Sequence, residues 1–127
     1  MSRLSDELRD RTKQYALETV RLYTSLPRSR REVEVLGHQQ LRSGTSVAAH
    51  AREASRARSD AEFCSKVDGL LQEADESALW LELLQESCGI SSDRLEFLRK
   101  ESSELIAIFS AMVIRTRKNF GKLKAEN

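Results

Sequence analysis

Punctuation is scarce in this chain: one proline and five glycines in 127 residues, with aromatics at only 6%. Little therefore interrupts long helices, and the many Leu, Ala, Glu and Arg residues favour them. No stretch approaches the roughly 20 apolar residues of a membrane span. The opening MSRLSDELRDR also lacks the apolar core of a signal peptide. The expected compartment is the cytoplasm, with no membrane partner. Only two cysteines occur, Cys64 and Cys88, far apart in sequence. With no mark of secretion they read as reduced core thiols rather than a disulfide.

Site chemistry is equally sparse. There is no glycine loop to cradle phosphates and no cluster with metal-ligand spacing. His38 and His50, the only histidines, stand twelve residues apart, about 18 Å along one helix, too far to share an ion. Neither cysteine neighbours a histidine, so a nucleophilic dyad has no support. Glu73 and Glu76 could be viewed as paired carboxylates, but neither belongs to the Glu-x-x-His pattern of di-iron bundles. The sequence predicts no catalytic residue, no metal site and no cofactor, and so a non-enzymatic protein.

What is present is helical periodicity and segregated charge. With 32% charged residues and a net charge of +1, the expected fold is all-α: one domain over 1–127, an antiparallel up-down four-helix bundle. Its helices are predicted at about 5–25, 30–54, 60–88 and 93–119. Leu8, Tyr15, Leu22 and Leu26 give the first helix its core stripe, widened by Ala16, Val20 and Tyr23. Pro27 ends it. Ser29 with Glu32, Ser59 with Glu62, and Asp93 with Glu96 have the spacing of N-terminal capping pairs. Gly89 supplies a left-handed stop for the third helix.

The second helix aligns Gly37, Gly44, Ala48, Ala51 and Ser55 on one narrow strip. Glycine inside a helix costs about 1 kcal/mol relative to alanine, so this strip implies close approach of another helix. On another side Arg31, Arg42, Arg52 and Arg56 share an arc of about 80°, with Arg58 in the turn beyond. Such a row suits successive phosphates. It equally suits a solvated face, or pairing with Glu73 and Glu76 on the third helix. Residues 28–58 carry seven arginines against three glutamates, and residues 60–104 carry twelve acids against four bases.

The third helix has its core stripe at Phe63, Val67, Leu70, Ala74, Ala78, Leu81 and Cys88, and the fourth at Leu95, Leu98, Leu105, Ile106, Phe109, Met112, Val113 and Phe120. Leu79, Trp80 and Leu83 project to a second side of helix three, and Phe97 and Ile108 stand off the stripe of helix four. These five are the predicted oligomer contact. The end of the chain, RTRKNFGKLKAEN, is basic and is expected to fray after Phe120. Its Arg115, Arg117 and Lys118 add to the candidate nucleic-acid residues.

The strings QLRSGTSVAAHAREASRARSDAEF and QEADESALWLELL resemble the four-helix-bundle family of proteins encoded in 23S rRNA intervening sequences, with the accessory proteins of diversity-generating retroelements as a related branch. The likeness spans about Leu8 to Lys118. It is most specific at Ser46–Glu53, Arg56–Phe63 and Glu73–Leu84. His50 and Ala54 depart from the asparagine and glycine expected there. The resemblance implies a ring-like homopentamer and, by the retroelement branch, binding of RNA or DNA and of a reverse transcriptase through a positive surface. Arg42, Arg56, Arg58 and Lys66 are the positions carried over as contacts. The functional expectation is a nucleic-acid-associated accessory protein. The alternative is a protein-interaction scaffold whose arginines are held in salt bridges.

Overall fold

A computed structural model describes the backbone from Ser2 to Glu126 and the side chains through Asn119. It contains four helices: α1 (Asp6–Ser25), α2 (Arg31–Ser55), α3 (Asp60–Glu86) and α4 (Ser92–Glu126). Each packs on its neighbour in sequence and α1 packs on α4. The result is an all-α four-helix bundle, as the periodicity predicts. Short connections force consecutive helices to run antiparallel.

The predicted stripes meet in the middle. Tyr15, Leu22, Leu26, Val47, Phe63, Val67, Leu70, Leu81, Leu95, Leu105 and Phe109 are all buried. Val20 is not: it is 44% exposed, because five residues of helical rotation turn it well away from Tyr15. The core also holds polar groups that periodicity cannot assign. The Tyr15 hydroxyl is 2.7 Å from Ser77 Oγ, and Gln40 Nε2 donates to the same oxygen at 2.8 Å. These hydrogen bonds tie α1, α2 and α3 together at fully buried positions.

Close approach at the glycine strip is real, but a side chain fills it rather than a backbone. A Cβ on Gly44 would stand 2.6 Å from Thr19 Oγ1 and 2.8 Å from Thr19 Cγ2, whereas one on Gly37 would meet the tip of Leu26 at 2.7 Å.

The capping predictions divide. Ser59 accepts the Glu62 amide at 3.0 Å and Gly89 has φ +69°, both as expected. The Ser29–Glu32 pair does not form. Arg30 is the N-cap and makes no side-chain cap bond. Its guanidinium binds Glu32 and the Cys88 carbonyl instead, so Glu32 is drawn away from Ser29. At α4, Ser91 rather than Asp93 stands at the cap, its Oγ accepting the Asp93 amide at 3.3 Å. Helix α4 also continues past the expected end at 119. The Phe120 side chain, predicted as core, lies outside the described residues.

Candidate nucleic-acid interface

The predicted cationic residues fall into two groups. The first group is already engaged. Arg42 reaches across to α3, with Nη1 3.4 Å from Glu73 Oε2 and Nη2 3.3 Å from Glu76 Oε2. Lys66 Nζ lies 2.6 Å from Glu53 Oε2, and Arg117 binds Asp68 across α3 and α4. Hydrogen bonding to Lys66 lowers the Glu53 carboxyl from its ordinary range and raises the ammonium. The same bonding from Asp68 raises Arg117. Arg58 Nε is 3.9 Å from Glu62 Oε2, a loose pair on a side chain 90% exposed. Surface pairs of this kind add little stability, yet they occupy the cation.

The second group is exposed and makes no ion pair among the described residues: Arg31, Arg52, Arg56, Arg115 and Lys118. Arg52 and Arg56 stand one turn apart near the end of α2, about 6 Å along the axis. Arg31 is about 32 Å from Arg52 by the same rise, so the basic row is split, with Arg42 locked between its ends. Arg115 and Lys118 belong to α4 and are not part of that row.

Arg52 and Arg56 line an open groove of about 1110 Å³ between α1 and α2, bordered by Glu62 and Lys66 of α3. Small side chains, Ala48, Ala49 and Ser55, line it as well, and Thr12, Arg9 and Lys13 enter from α1. The stripe that lets the two helices approach also makes the groove. Four acids share it, Asp6, Asp10, Glu53 and Glu62. Asp6 pairs with Arg9, Glu53 with Lys66, and Glu62 lies near Arg58. That leaves Asp10 as the one acid of the lining with no ion pair among the described residues, against Lys13, Arg52 and Arg56, a net positive balance among the uncommitted groups. Arg9 and Lys13 were legible only as an i,i+4 basic pair on a mixed helix, which is too common to single out.

The predicted oligomer residues do not form one patch. Leu79 is 45% exposed, with Trp80 and Leu83 half-buried beside it on α3. Trp80 shares the flank of Glu73 and Glu76 that faces α2, and its Nε1 is buried without a hydrogen-bond partner. Phe97, 48% exposed, and half-buried Ile108 share the α4 face of Glu101 and Glu104, which meet Arg11 of α1. Exposed Val35 on α2 lies nearer in register to Leu83 than either of them does.

The profile of the 23S rRNA-intervening sequence protein family matches residues 7–111. The chain belongs to that family. A crystal structure of a protein of unknown function from the S23 ribosomal protein family of Bacteroides thetaiotaomicron is similar, at 34% identity and a TM-score of 0.75. That match covers 83% of this chain and 96% of the other. No curated protein matches. The 23S rRNA-intervening sequence profile reaches from α1 into α4 as far as Ala111, so it includes every groove-lining residue but Asp6 and stops short of Arg115, Arg117 and Lys118. Among the described residues no helix is long and apolar enough to cross a membrane, and no group of three or more His, Cys, Asp or Glu side chains is placed to hold a metal.

Proposed function

We propose that this 23S rRNA-intervening sequence protein is a non-enzymatic, homo-oligomeric accessory protein of the cytoplasm that binds RNA or DNA phosphates at the α1–α2 groove. One observation carries the reading. Arg52 on α2 and Arg56, the C-cap residue one turn on, are exposed and have no carboxylate partner among the described residues, while Arg42, Lys66 and Arg117 are held in ion pairs. Guanidinium groups suit phosphate because their planar fork donates two parallel hydrogen bonds.

A single groove with one uncommitted acid supplies modest affinity and little base discrimination, since phosphate contacts position without reading sequence. Repetition in an oligomer multiplies such weak contacts through effective concentration. The exposed Leu79, with Trp80 and Leu83, supports self-association, and the family likeness suggests a pentamer. Anisotropy titrations of short RNA and DNA over a salt series test the reading, with the Arg52→Gln/Arg56→Gln variant as the discriminating arm.

A second reading has its own support. Arg42 meets two α3 carboxylates, which favours a scaffold whose helix-two cations brace the bundle. A protein partner, including a reverse transcriptase, would then engage the exposed apolar side chains. Salt-insensitive absence of nucleic-acid binding by an intact assembly would favour this scaffold.

A further inference from the structure

The connection between α2 and α3 is four residues long, Arg56 to Ser59, and two of the four are arginines. Loops of this kind are mobile unless something ties them down. Holding a long arginine in place for a ligand costs side-chain entropy on binding. Here the connection is pinned from a distant part of the chain, by the segment that precedes α1.

Among the described residues, Arg3 makes the hydrogen bonds of this attachment. Its backbone amide donates to the Ser55 carbonyl at 3.0 Å. Its Nε donates to the Ala57 carbonyl at 2.9 Å, and its Nη1 to Asp60 Oδ1 at 2.7 Å. The guanidinium carbon lies 5.9 Å from the centre of the Phe63 ring. One side chain thus bridges the connection and the first residue of α3, while its own backbone holds the last residue of α2. Leu4, only 3% exposed, anchors the segment in the core.

We propose that Arg3 is a positioning residue for the phosphate site, holding the α2–α3 connection so that Arg56 remains presented; this rests on the phosphate-binding reading above. Two effects combine. The three-point attachment lowers the ordering cost of the connection before any ligand arrives. The Arg3–Asp60 pair also neutralises a carboxylate at the start of α3, so an incoming phosphate meets less repulsion. Arg3 gives Nε to Ala57 and Nη1 to Asp60, and in this proposal acts through these neighbours rather than on the ligand.

The test compares wild type, Arg3→Ala, Arg3→Lys and Arg56→Gln. Each is titrated with a short fluorescent RNA over a salt series, and amide exchange is followed at Arg56 and Ala57. Arg3→Ala is expected to weaken binding about three- to tenfold with an unchanged salt slope, and to speed exchange at both amides. Arg3→Lys keeps a cation near Asp60 but loses the fork, and should recover part of both effects. Wild-type affinity in Arg3→Ala, alongside lost affinity in Arg56→Gln, overturns the positioning role. A shallower salt slope in Arg3→Ala also overturns it, because Arg3 would then touch phosphate itself. Unchanged binding in Arg56→Gln sinks the phosphate site instead. Exchange then judges the strap separately, and unaltered exchange in Arg3→Ala refutes it.

Discussion

Arg42 on α2 lies with its Nη1 3.4 Å from Glu73 on α3, and this contact divides the basic face of α2 into parts with different capacities. Arg42 sits on the arc that also bears Arg52 and Arg56, yet its charge is shared with Glu73 and Glu76. The other two line the α1–α2 groove. A row that looks uniform in projection is therefore a locked brace at its middle and an uncommitted pair near its C-terminal end. The two rival readings of the sequence each describe part of one helix.

Gly44 and Gly37 test how the groove is built. Alanine at 44 forces a Cβ into Thr19, a β-branched side chain whose Oγ1 already donates to the Tyr15 carbonyl. Gly44→Ala is expected to destabilise by about 1–3 kcal/mol through overpacking. At 37 the obstacle is the flexible tip of Leu26, and the gain in helix propensity of about 1 kcal/mol offsets the shift. Urea unfolding of both variants checks the contrast. Equal losses at the two positions would contradict it.

Stability should fall in acid through Glu101. Its carboxylate is nearly buried and accepts from Arg11 Nη2 at 2.5 Å and Nε at 3.1 Å. Hydrogen bonding to Arg11 lowers the carboxyl below its ordinary 4.5, against the opposing effect of burial. A lowered folded pKa stabilises above the unfolded value and is lost as pH falls through the folded one. The expected loss therefore begins below about pH 4.5. Arg11→Ala should cost about 1.5–3 kcal/mol at neutral pH. It should also flatten the acid limb, because the unpaired carboxylate no longer prefers its charged form. Thermal melts from pH 3 to 7 measure both, and an unaltered acid limb would contradict the assignment.

Leu79→Glu with Leu83→Glu should reduce the mass in solution to that of a monomer while helicity is retained. Light scattering with circular dichroism decides it. Phe97→Glu, on a different side of the bundle, provides a separate arm. Retention of wild-type mass in the Leu79/Leu83 variant would remove that face from the assembly.

The fold was legible because its signals are periodic. Tyr15, Leu22, Leu70, Leu105 and Phe109 recur at helical spacing and are buried. Pro27 and Gly89 mark ends by backbone chemistry that needs no tertiary context. The site was legible only as types of residue. Projection places Arg42, Arg52 and Arg56 on one arc, but whether a carboxylate lies opposite depends on the register of α2 against α3. Arg3 was invisible for a related reason. Its hydrogen-bond partners are 52 to 57 positions away in sequence, and no local pattern links them. The failed Ser29–Glu32 cap has the same origin, since Arg30 competes locally for Glu32 and reaches Cys88 by tertiary folding.

The most direct test of the central claim is the salt dependence of oligonucleotide binding in Arg52→Gln/Arg56→Gln against wild type, with Arg42→Gln as the comparison. Each lost phosphate contact makes the log–log slope shallower by about 0.7 on single strands and about 0.9 on duplex DNA. For each groove engaged, the double variant is therefore expected to shift the slope by about 1.4 or 1.8 and to bind much more weakly at low salt. Arg42→Gln is expected to leave the slope unchanged. Wild-type slope and affinity in the double variant, with the assembly intact, would contradict phosphate binding at the α1–α2 groove.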